Sequence, residues 1–120
     1  MELKETEVRI ADNGGYKNIY PKGKDSAMVD PMPFNSYIKI QKMYPNGIEK
    51  DGKYGKFYTI KVGYNGEEVG MILNPKEHES YLKAGEVGDE IKLVVKGEQY
   101  TKNVNGQSET KTKRVVSFES

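Results

Sequence analysis

The chain has 120 residues, enough for one domain with a modest core. Hydrophobic residues make up only 35% and mean hydropathy is −0.81, so the surface is generous, and no run approaches the ~18 apolar residues of a membrane span. The absence of cysteine excludes disulfides, thiolate metal sites and thiol nucleophiles, while a net charge of +1 says nothing by itself about partners.

The opening MELKETEVRI lacks a basic start followed by an apolar stretch, so it does not read as a secretory signal. With the cysteine-free composition this points to the cytoplasm, that of the host if the protein is viral. A short strand is expected at Thr6–Ile10. Residues 11–36 carry three prolines and three glycines without sustained periodicity and read as a loop or loosely ordered arm. The expected division is therefore an N-terminal arm, 1–36, and a folded domain, 37–120.

From Tyr37 the pattern becomes regular. YIKIQKMY (37–44) alternates, with Ile38 and Ile40 on one face and Tyr37, Lys39 and Gln41 on the other, as in a half-buried strand. KFYTIKVGY (56–64) sets Tyr58, Ile60, Val62 and Tyr64 against Phe57, Thr59 and Lys61. Asn65-Gly66 then forms a two-residue hairpin turn into EEVGMIL (67–73). Asn74 caps and Pro75 opens a short helix, 75–84, ended by Gly85, with His78, Tyr81 and Leu82 expected on its inner face. Gly88-Asp89 turns into a strand carrying Ile91, Leu93 and Val95. A polar stretch, 101–113, turns at Asn105-Gly106, and RVVSFE (114–119) makes a final strand.

Charge is unevenly spread along this order. Residues 1–36 hold five basic and six acidic groups (−1) and 37–66 hold six and two (+4). Residues 67–95 hold three and seven (−4), and 96–120 hold five and three (+2). Two basic segments thus flank an acidic one, and a fold that joins them would be polarised.

No motif speaks for catalysis. His78 is the only histidine, and the pairs Glu67-Glu68, Glu77/Glu79 and Asp89-Glu90 are each accounted for by a turn, a helix N-terminus or a strand edge. EKDGK (49–53) lacks the alternating ligands of a calcium loop, and neither a phosphate-cradling glycine loop nor a nucleophile elbow is present. The expectation is a non-enzymatic protein with no catalytic residue, metal or cofactor.

Five short strands with one helix between the third and fourth, and a Gly-Asp turn leading into the fourth, resemble the five-stranded Greek-key barrel of the OB-fold over residues 37–119. Within that group the chain looks like the small single-stranded-DNA-binding proteins of phages, viruses and archaea. The resemblance implies a mainly β barrel whose second and third strands form the ligand face, flanked by the loops 45–55 and 97–112. Lys39, Lys53, Lys56, Lys61, Lys102, Lys111, Lys113 and Arg114 would then converge on one groove. The outward rings Tyr37, Tyr54, Phe57 and Tyr100 would serve as stacking platforms. Tyr58, Tyr64, Tyr81 and Phe118 are assigned to core or rim. The implied partner is single-stranded DNA, in replication, recombination or repair. RNA binding, a homo-oligomer, or a protein-interaction role through the arm residues Met28, Val29, Met32 and Phe34 stand as alternatives.

Overall fold

Apolar and polar residues alternate over 37–40, 56–64 and 67–73, and two antiparallel-dominated sheets bury the apolar sides against each other and against one helix. The computed structural model describes residues 2–45 and 47–120. The strands are β1 (Lys4–Glu5), β2 (Ile10–Asn13), β3 (Tyr16–Ile19), β4 (Ser36–Ile40), β5 (Lys42–Met43), β6 (Ile48–Gly52), β7 (Gly55–Tyr64), β8 (Glu67–Leu73), β9 (Ile91–Val104) and β10 (Gln107–Glu119). The helix α1 (Pro75–Ala84) lies between β8 and β9. One sheet has the order β1-β4-β9-β10 and the other β2-β3-β8-β7-β5, with β6 pairing β7. Ile38, Ile40, Leu93, Val95, Val116 and Phe118 from the first sheet meet Ile19, Ile60, Val62, Val69, Met71 and Leu73 from the second in one core cluster.

The local chemistry explains the turns. Asn65-Gly66 and Asn105-Gly106 both adopt positive φ (52° and 76°, 52° and 78°), the conformation a two-residue hairpin requires. Asn74 and Glu77 form a reciprocal capping box at the start of α1, with Pro75 in the first turn. The inner face of α1 is not the expected one. Glu77, Tyr81 and Ala84 are buried, His78 is half-buried and Leu82 is exposed, because the i, i+4, i+7 row rather than Leu82 faces the sheets.

Other expectations change as well. The sheets do not close into a barrel, although the mainly β class with a single helix holds. The strand expected over 37–44 breaks at Gln41, so that β4 pairs β9 in one sheet and β5 pairs β7 in the other. The strand expected at Thr6–Ile10 is absent; the chain pairs at Lys4–Glu5 and again from Ile10. The supposed loop 11–36 contains the β2–β3 hairpin, turned by Gly14-Gly15, and β3 joins β8 in parallel through Asn18 and Gly70. Val8, Ile19 and Met32 enter the main core, and Val29 is also buried, while Met28 and Phe34 remain exposed. The buried Val8 N–H donates to the Tyr64 hydroxyl at 3.0 Å, which ties this N-terminal segment to β7. The two expected loops are mostly strand. Within the 45–55 connection, residues 48–55 belong to the β6–β7 hairpin with Lys53-Tyr54 at its tip, Asn46 lying outside the described residues, and 97–112 lies within the paired β9–β10 ribbon except at its turn.

Candidate nucleic-acid interface

The side of β7 turned away from the core carries Phe57, Thr59 and Lys61, since Ile60, Val62 and Tyr64 point inward. The ladder sets Lys50 opposite Phe57, Ile48 and Ile72 on either side of Thr59, and Gly70 opposite Lys61. Gly70 has no side chain, and Asn18 of β3 occupies the space where its Cβ would project, so β3 seats closely and brings Tyr16 to the same face. Together with Tyr44 and Pro45, these residues other than Phe57 line an open groove of about 580 Å³ whose walls are mainly apolar. Its exposed hydrophobes are large: Tyr16 is 77% exposed, Ile48 65% and Ile72 51%. Lys50 and Lys61 supply the positive charge.

Ile72 also lines a second groove, of about 340 Å³, with Phe57, Tyr20, Pro21, Lys22 and Lys24. The two grooves adjoin at Ile72, which lines both, and together make a track over the outer side of the six-stranded sheet. Along it lie four rings (Tyr16, Tyr44, Phe57 and Tyr20) and four lysines (Lys50, Lys61, Lys22 and Lys24). Lys24 sits 5.0 Å from the Tyr20 ring centroid, and Lys42 lies 5.1 Å from that of Tyr44. Just beyond the track, the β6–β7 tip holds Tyr54, 95% exposed, with the Lys53 ammonium 5.6 Å from its ring.

The residues singled out in the sequence do not converge on one groove. Phe57 and Lys61 line the track, and Lys53, Tyr54 and Lys56 stand at the hairpin tip beside Phe57. Tyr37 and Lys39 lie on the outer side of the other sheet, where Tyr37 meets Lys92 and Glu5, because strand 36–43 changes sheets at Gln41. Tyr100, Lys102 and Lys111 sit on the β9–β10 ribbon away from both grooves, whereas Lys113 and Arg114 line a further groove of about 340 Å³ that shares Lys22, Asn74 and Glu77 with the second one. Arg114 is taken up structurally: its Nε donates to the Met32 carbonyl at 2.7 Å and its guanidinium covers Phe34 at 4.3 Å.

Most of the cations already have carboxylate neighbours. Lys39 pairs with Glu5 (3.7 Å), Lys56 with Glu49 (3.5 Å), Lys61 with Glu68 (3.1 Å), Lys113 with Glu98 (3.9 Å) and Lys22 with Glu77 (2.9 Å). The exposed pairs among them are weak enough to exchange for a phosphate, whereas Lys22 is held by the buried Glu77. Lys24, Lys50, Lys53 and Lys102 have no ion pair among the described residues.

Sequence reasoning missed Tyr16, Tyr20, Lys22, Lys24, Tyr44, Ile48, Lys50 and Ile72. A usable signal for Tyr16 was the Gly14-Gly15 dipeptide between two four-residue segments, which marks a hairpin. Tyr58 and His78 are accounted for otherwise: their rings stack at 3.9 Å with an interplanar angle of 6°. The Tyr58 hydroxyl donates to Glu49 at 3.0 Å; this bond lowers the carboxyl pKa of Glu49, with help from Lys56, and raises that of the phenol, with help from burial. Among the described residues no group of three or more His, Asp or Glu is placed to hold a metal ion, and no helix is long and apolar enough to cross a membrane. No family model, curated protein or solved structure matches the chain.

Proposed function

We propose that the protein binds single-stranded DNA with little sequence preference, along the track on the outer side of the six-stranded sheet, without catalysing a reaction. The observation that carries this reading is the gathering of four rings and four lysines in two adjoining grooves on one side of the sheet. A single strand offers unpaired bases with open π faces and a phosphate per nucleotide. Rings that stack any base, beside cations that meet the backbone, bind it independently of sequence. An OB-type strand order over β4/β5, β7, β8, β9 and β10 is part of the same proposal. It is supported by α1 lying between β8 and β9 and by a first strand that pairs with both β7 and β9. The process served is DNA replication, recombination or repair, in the cytoplasm of a cell or of a virus-infected host.

Fluorescence polarisation with labelled oligo-dT, at low and moderate salt, tests the reading. The expected result is saturable binding at micromolar protein that weakens as salt rises. Absence of salt-sensitive binding would overturn it, and tighter binding of oligo-U than of oligo-dT would reassign the ligand to RNA.

A further inference from the structure

The β9–β10 ribbon has a free edge whose chemistry matches a second copy of itself. The tight turn at Asn105-Gly106 makes Val104 and Gln107 a mutually bonded pair, so odd-numbered residues of β10 bond to β9 and even-numbered ones face outward. The far end of the strand confirms this direction: the Phe118 N–H donates to Ser80 Oγ at 2.9 Å, and that hydroxyl reaches back to the Phe118 carbonyl at 3.5 Å. Helix α1 thus occupies the edge at Phe118. Toward the turn, the backbone groups of Ser108, Thr110 and Thr112 face no other strand among the described residues, since β10 is the last strand of its sheet. The stretch is long, contains no proline and leaves its donors and acceptors unpaired by any ladder, which makes it a template for strand addition.

We infer that β10 pairs antiparallel with β10 of a second copy about a two-fold axis through Thr110, joining two four-stranded sheets into one. Charge selects this register. With the axis at Thr110, Ser108 meets Thr112 of the other copy, and Glu109 meets Lys111 of the other copy on both sides of the axis. An axis at Glu109 or Lys111 sets that residue against its own copy, and one at Thr112 sets Lys111 against Lys113. An axis at Arg114 opposes two guanidinium groups, and one nearer the turn runs out of strand. Within one chain Lys111 and Glu109 are already neighbours at 4.0 Å, so the crossed pairs need only a side-chain rearrangement. The inference does not depend on the DNA-binding reading, because none of these residues lines the track.

Light scattering after size exclusion and sedimentation velocity, both without nucleic acid, test it. The full chain should pass from 13.6 kDa toward twice that mass as concentration rises. The transition is expected between ~1 and ~100 µM, as befits a contact of one strand edge. Thr110→Pro removes an N–H that bonds to nothing in β9, so the circular dichroism should be unchanged while the dimer is lost. Glu109→Lys or Lys111→Glu alone should weaken association about tenfold, and the two together should restore it. A monomer at every concentration, a dimer that survives Thr110→Pro, or a double charge swap that fails to rescue would each overturn the inference.

Discussion

Replacing Tyr16 by alanine separates a binding role from a structural one. The ring is 77% exposed, and its hydroxyl has no hydrogen-bond partner among the described residues. The folded protein therefore loses little, and unfolding free energy should stay within about 0.5 kcal/mol of the parent. If a base stacks on this ring, binding loses about 1–3 kcal/mol. That corresponds to roughly a 5- to 150-fold rise in Kd. Tyr16→Phe keeps the π face and should bind like the parent. The assay is polarisation of labelled oligo-dT across a salt series, with urea unfolding of each variant as the stability control. The slope of log K against log salt should be the same for Tyr16→Ala and the parent, since no cation is removed. Parent-like affinity in Tyr16→Ala, or an equal loss in Tyr16→Phe, would refute stacking at this position.

Lys50→Ala should reduce the salt slope of oligo-dT binding by about 0.7, the value for one phosphate contact on a single strand, whereas Lys39→Ala, on the opposite sheet, should leave it unchanged. Tyr64→Phe removes the acceptor for the buried Val8 N–H and should cost about 1–3 kcal/mol in urea unfolding, with oligo-dT affinity retained. Burial raises the pKa of the Tyr81 phenol above its ordinary value. The folded state then holds a proton that the unfolded state gives up, so this stabilisation is complete below the ordinary tyrosine pKa and is lost as pH rises through the folded value. Urea midpoints should therefore fall on the alkaline side, and tyrosinate absorbance should show a phenol that ionises with unfolding. Tyr81→Phe, which has no phenol to titrate, should flatten the fall.

Local chemistry made several elements legible from residues alone. The two Asn-Gly turns, the capped helix at Pro75–Ala84, and the alternation that puts Ile60, Val62, Val69 and Met71 inward all follow from short-range geometry, namely positive φ, an unsatisfied helix N-terminus and a period of two. The Asn105-Gly106 turn marked the 97–112 segment as a hairpin, but did not show that it is paired strand almost to the turn, because its pairing partner is its own continuation. Such a ribbon needs no apolar face to form a ladder, and without one there is no hydrophobic signal to read.

The sequence by itself determined a mainly β chain with one helix, an uneven distribution of charge, and a surplus of rings and lysines around 53–61. Only the tertiary structure decided which of those rings share a surface. Tyr37 and Phe57 both lie on the non-core register of neighbouring segments, yet the change of sheet at Gln41 sends them to different sides of the core. Tyr16, from a segment with no periodicity, reaches the track because Gly70 lets β3 approach β8 closely. Face and period are local properties of a strand, whereas the side of the molecule a face meets depends on which distant strands pair.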